Sequence, residues 1–261
     1  MRSLRVFFVG GLISYRALFG WLSPMVFIPS LAVAPVFQIL LFAYIGRTTG
    51  VGTDEFYVVG NALQYASIPC IFAMTHTISG EREERTLGNV LIAPVGRFPL
   101  FLGRALPVIV NGVFVAAFAF AVGGLLLRID VPVSALAPLA VSITTTAFAC
   151  TGLGLVSAAI GLRVRETAVL SNCIFGILLI FTGANVATEN LPGWMSTIGQ
   201  VLPLTHGIEA TRRLADGAML GDVAATLAAE AAIGLAYGAA GYLALLWMET
   251  VSRRKATLEM A

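Results

Sequence analysis

Long apolar stretches constrain this chain more than any other feature. Six segments run nearly free of charge: about Pro24 to Ile45, Phe56 to Ile78, Leu106 to Leu127, Leu136 to Leu162, Ala168 to Val186 and Val223 to Met248. A helix needs about 20 apolar residues to cross the hydrocarbon core of a bilayer, where lipid offers its backbone no hydrogen-bonding partner. The expected fold is therefore all-α: a polytopic membrane protein with six transmembrane helices. The second stretch is the most polar, with Asn61, Gln64 and His76 inside it. Composition agrees, since 58% of the 261 residues are hydrophobic and 11% charged, against roughly 25% charged in a soluble domain.

The basic residues orient the spans, because cytoplasmic segments carry the excess of Lys and Arg. With the N-terminus inside, the cytoplasmic segments hold Arg2, Arg5, Arg16, Arg82, Arg85, Arg97, Arg104, Arg163, Arg165, Arg253, Arg254 and Lys255. The outer segments hold Arg47, Arg128, Arg212 and Arg213. Twelve against four predicts both termini in the cytoplasm, which requires an even number of spans.

Residues 1–22 read differently from the rest. Leu4, Phe8, Leu12, Tyr15, Phe19 and Leu22 recur every three or four positions, one face of a helix, while Arg5 and Arg16 share another. Such a helix lies in the cytoplasmic membrane interface. Domain 1–22 is thus an expected interface helix carrying Arg5, Phe8, Leu12, Tyr15, Arg16 and Phe19, and 23–261 the six-helix domain. A cleaved signal peptide ending near Ala32-Val33-Ala34 is the rival; Arg16 interrupts its apolar core and the apolar run continues past the cut.

The missing chemistry is informative. A P-loop needs a lysine after its glycine-rich turn, and the sole lysine, Lys255, has no glycine before it. The chain has no Walker-type nucleotide site of its own. His76 and His206 form no HExxH pair, no GxSxG elbow occurs, and no metal site is expected. Cys70, Cys150 and Cys173 lie in apolar runs without CxxC spacing and read as packing residues. Thr144, Thr145 and Thr146 read as mid-helix hydroxyls bonded one turn back. Gly234 with Gly238, and Gly154 with Ala158, suit close helix packing within one subunit or a dimer seam. Glu230 is the clearest intramembrane charge, about two turns into the sixth stretch. Structural pairing, an interfacial position and a place on an ion pathway all suit such a group.

The segment after the second stretch reads as a working part. Gly80-Glu81-Arg82-Glu83-Glu84-Arg85-Thr86-Leu87 is followed by a short apolar turn with Leu91 and Ile92, a stop at Pro94 and Gly96, and Arg97 and Arg104 at the return to the membrane. A short helix with a charged head and an apolar side suits a groove on a soluble partner. A solvated loop whose acids and arginines pair locally is the alternative.

The stretch Gly80 to Leu87, then Leu91-Ile92-Ala93-Pro94-Val95 and Arg97, resembles the cytoplasmic loop of type-2 ABC exporter permeases. The family pattern there is roughly Gly-Glu-x-Glu-x-Gly-Thr-Leu, apolar residues, Pro and Arg; Arg85 stands where glycine is common. Leu191-Pro192-Gly193-Trp194 and Leu202-Pro203-Leu204-Thr205-His206-Gly207-Ile208-Glu209-Ala210-Thr211-Arg212 are similar to the family's segment before the last span.

The resemblance implies a permease subunit in the plasma membrane, paired with an identical or homologous second permease and with separate ABC ATPase subunits that hold ATP and Mg. It assigns ATPase coupling to Glu81, Arg82, Glu83, Glu84, Arg85, Thr86, Leu87, Leu91 and Arg97 in a loop over 80–104, with Arg163, Arg165 and Glu166 as a second contact. It places extracellular or re-entrant helices over 191–220, with Trp194, Pro203, His206, Glu209 and Arg212 near an outer gate. The expected cargo is a lipophilic or amphipathic compound: a drug, natural product or lipid. Export of a polysaccharide or lipid-linked glycan is the alternative, followed by a secondary carrier or channel working without an ATPase, or a scaffold. No cofactor on this chain and no nucleic-acid partner are expected.

Overall fold

The computed structural model describes residues 33–50, 52–83, 97–164 and 166–255. Among them the regular elements are all helical. They are α1 (Ala34–Thr49), α2 (Asp54–Ile68), a π-helical turn (Pro69–Ala73), α3 (Met74–Glu83), α4 (Arg97–Leu127), α5 (Leu136–Gly161), α6 (Thr167–Phe181), α7 (Gly193–Val201), α8 (Thr205–Ala215) and α9 (Ala224–Lys255), with short 3-10 turns at Val133–Ala135, Thr188–Asn190 and Leu220–Val223. Four described segments are long and apolar enough to cross a membrane: Asp54–Thr77, Leu102–Leu127, Val133–Gly161 and Leu220–Met248. α1 and α6 are shorter, at 16 and 15 residues, and α1 begins where the described residues begin.

Local chemistry sets the boundaries. α2 starts at Thr53, whose hydroxyl accepts the Phe56 N–H at 3.2 Å, and Asp54 and Glu55 sit in its first turn, where the helix dipole favours acids. The turn before it is closed by Gly50 at φ 69° and by Arg47, whose guanidinium pairs with Asp54. Pro69 breaks the α-helical ladder mid-span, because it has no N–H to donate and its ring crowds the preceding turn. The chain widens into one π turn and resumes as α3. α6 stops at Phe181, before the Val186 limit expected from apolarity, since Gly183 turns left-handed at φ 81°.

α5 is the central helix, with Leu139, Ile143, Ala147, Cys150, Leu153 and Ala158 all buried. The π turn and α3 pack on one side of it and α9 on the other. A Cβ added at Gly234 would lie 2.7 Å from Ala149 Cα, so glycine is what lets the α5 and α9 backbones meet. Gly154 similarly faces the Cys70 carbonyl. Both glycines therefore serve packing inside this subunit. Thr144, Thr145 and Thr146 donate to the carbonyls of Ala140, Val141 and Ser142 one turn back.

Candidate functional site

α8 lies over one end of the bundle with an apolar face of Ile208, Leu214 and Ala215 turned inward and Glu209, Arg213 and Asp216 outward. Pro203 is buried and Leu204, at φ 89°, makes the sharp entry. The first N–H groups of any helix lack intrahelical partners. Here Glu230 of α9, fully buried, meets two of them: Leu204 N–H donates to Oε1 at 2.6 Å and Gly207 N–H to Oε2 at 3.1 Å. Glu230 is thus a structural partner of a helix start, and the positive end of the α8 dipole favours an acidic group there. Thr205 and His206 tie α8 to α7, the hydroxyl donating to Gly199 O at 2.6 Å and the imidazole Nε2 lying 3.1 Å from Gln200 O. Trp194 opens α7, exposed, with its ring edge-on to Phe181 at 5.9 Å.

The other end of α8 is held by Arg212. Its Nη2 donates to Phe56 O at 3.1 Å, Gly183 O at 2.9 Å and Ala184 O at 3.1 Å, and its guanidinium lies 3.5 Å from the centre of the Phe56 ring. Burial lowers its pKa to about 10, which leaves it charged at neutral pH. One side chain thereby satisfies the carbonyls that the early end of α6 frees and joins them to the first turn of α2. Gly60 permits this approach, because any Cβ there would strike the Ala184 carbonyl. On the α5 side, Ser142 and Thr211 share a hydrogen bond of 2.8 Å.

A partly buried polar line centres on Asn61 and Gln64 of α2, both fully buried. Gln38 Nε2 donates to Asn61 Oδ1 at 2.8 Å, and Asn61 Nδ2 donates to Asn185 Oδ1 at 2.9 Å. One turn further along α2, Gln64 Nε2 donates to Phe175 O of α6 at 3.3 Å. The polar second stretch signalled part of this line; Gln38 and Asn185, and the Ser142–Thr211 pair, went unrecognised in the sequence because single amides and hydroxyls carry no spacing signal.

The described part of the expected coupling residues falls at helix ends. Glu81, Arg82 and Glu83 form the last positions of α3, and Arg97 the first of α4, so the connection expected over 80–104 is helical at both ends. Thr75 of α3 donates to Ser157 of α5 at 2.8 Å, and Arg104 of α4 donates to Thr77 O at 3.0 Å. Arg163 lies over the Trp247 ring of α9 at 5.1 Å, and Glu166 is the N-cap of α6 without a side-chain cap bond. Arg5, Phe8, Leu12, Tyr15, Arg16 and Phe19 of the expected interface helix lie outside the described residues, as do Glu84, Arg85, Thr86, Leu87, Leu91 and Arg165. Among the described residues no group of three His, Cys, Asp or Glu side chains gathers for a metal.

Comparison with known proteins adds two findings. The chain is 24% identical over 164 residues to the protein named "Probable multidrug ABC transporter permease YbhR" of Escherichia coli (strain K12), and equally to the protein of that name in Escherichia coli O157:H7. The match covers 56% of this chain and 42% of the relative's length. The model of the ABC-2 type transporter family matches residues 11–214. With that match spanning well over half of its 261 residues, this helical membrane protein belongs to the ABC-2 type transporter family.

Proposed function

We propose that this chain is the membrane-spanning permease subunit of an ATP-driven exporter that moves a lipophilic or amphipathic compound out of the cytoplasm. The observation that carries the reading is the family match joined to a relative whose name specifies a multidrug permease. The chain has no nucleotide-site lysine, so ATP and Mg would reside on separate ATPase subunits, with which permeases of this family associate. In this reading α1, α2 with α3, α4, α5, α6 and α9 are the six spans, both termini face the cytoplasm, and a second permease copy or homologue completes the pathway in the plasma membrane. The capped end then faces outward, and Trp194 sits at the membrane–water interface, as its half-polar ring favours.

The α3–α4 end is the docking end. Glu81, Glu83 and Glu84 would orient the ATPase by charge, and the apolar side chains at Leu87 and Leu91 would supply contact area. Closure of the ATPase dimer would then push on α3 and α4, whose packing against α5 passes the movement into the bundle. Co-purification with the cognate ATPase tests this. Glu81→Ala combined with Glu84→Ala should weaken assembly and lower transport-linked ATP hydrolysis; unchanged assembly and unchanged hydrolysis would sink the docking assignment.

A further inference from the structure

α8 has no N-cap of its own. Leu204, at the N-cap position, offers only an apolar side chain, and the Thr205 hydroxyl is turned away to Gly199 O. The N–H groups of Leu204 and Gly207 are met instead by the two oxygens of Glu230, borne by a different helix. Capping from a distance has a mechanical consequence: α8 cannot separate from α9 without leaving two N–H groups and a buried carboxyl unpaired. α9 is in turn fastened to α5 along a glycine seam, at Gly234 against Ala149 and at Gly241 against Leu155 and Val156. Thr211 adds a direct bond from α8 to Ser142 of α5, and Thr205 and His206 tie α8 to α7; the anchor toward α2 and the turn after α6 is of another kind. Arg212 reaches away from that pair of helices, to Phe56 of α2 and to Gly183 and Ala184 after α6.

We infer that Glu230 is the positioning residue of the cap. Together with the Ser142–Thr211 bond it makes α8 a part of the α5–α9 body, so that a shift of α9 is transmitted to the cap and the Arg212 contacts are the ones that exchange. The contact itself is independent of cargo; its meaning for transport rests on the exporter reading.

The experiment uses the full-length chain with Cys173 changed to Ser and one of two reporter cysteines. Ala210→Cys reports on α8 and Ala158→Cys on the far half of α5; both positions are fully buried. Labelling by N-ethylmaleimide is timed with Glu230 intact, with Glu230→Gln and with Glu230→Asp. The amide is nearly isosteric but points N–H groups at a backbone donor, so Ala210→Cys should label about tenfold faster or more. Asp keeps the acceptor oxygens on a shorter stem and should give a smaller rise. Ala158→Cys should label equally slowly in all three. Equal labelling at Ala210→Cys with and without Glu230, or equal rises at both reporters, would overturn the inference. In proteoliposomes with the ATPase, Glu230→Gln should retain ATP hydrolysis and lose transport per ATP; retained transport per ATP alongside faster labelling overturns the transmission role. A wild-type complex that moves no compound contradicts the exporter reading, and the labelling contrast still decides whether Glu230 positions the cap.

Discussion

Arg212 and Gly60 show how closely single groups control the capped end. Arg212 reaches three carbonyls and an aromatic face from one guanidinium, a planar fork that an ammonium cannot copy. Arg212→Ala should lower stability by about 2–3 kcal/mol, since it leaves desolvated carbonyls unpaired. Arg212→Lys should recover only part of that. Thermal unfolding in detergent, read at matched protein and lipid content, measures both. Gly60→Ala places a methyl against the Ala184 carbonyl, a backbone atom that cannot swing aside. It should cost about 1–3 kcal/mol. Because Gly60 also lies close to Arg212 Nη2, the double variant Gly60→Ala with Arg212→Ala should fall short of the sum of the two losses. A strictly additive result would mean that the two residues act on separate structures.

Helix seams decide the behaviour of the elements. In lipid, apolar side chains gain little by leaving one hydrocarbon phase for another, so close packing and interhelical hydrogen bonds hold spans together. Gly234→Leu should therefore push α9 off α5 and strip Glu230 from α8 at the same time. Faster maleimide labelling of both Ala210→Cys and Ala158→Cys would be the sign, in contrast to the local effect of Glu230→Gln. The Thr75–Ser157 bond joins α3 to α5, and a double-mutant cycle with Thr75→Val and Ser157→Ala should return a coupling of about 0.5–1 kcal/mol. A coupling near zero would show that Gly154 packing alone holds this seam. Much of this level was legible in the sequence. Apolar length located the four long apolar spans, whereas the acidic start of α2 and the break at Gly183 rest on single residues that apolar length does not register. The π turn was less legible, because Pro69 announces a break without specifying how the ladder is repaired. The identity of Glu230's partner was not legible at all. Its two donors are main-chain groups more than 20 positions away, and main-chain groups leave no mark in a sequence.

For the whole molecule, the two ends of the bundle are built differently. One end is closed by a helix tied into α9, α5, α2 and the turn after α6, and toward the other α3 ends at Glu83 and α4 begins at Arg97. The division suits a machine driven from one side and gated on the other, and α5 with α9 is the continuous link between them. Six apolar stretches and one lysine already pointed to a membrane part without a motor; the family membership gives that absence its sense. The most direct measurement is reconstitution of the purified chain in sealed liposomes, with and without its cognate ATPase, using a fluorescent lipophilic cation as cargo. Movement is expected only when both proteins and hydrolysable ATP with Mg are present, and none with the chain alone under a proton or sodium gradient. Gradient-driven movement by the chain alone, unaffected by the ATPase, would contradict the exporter reading.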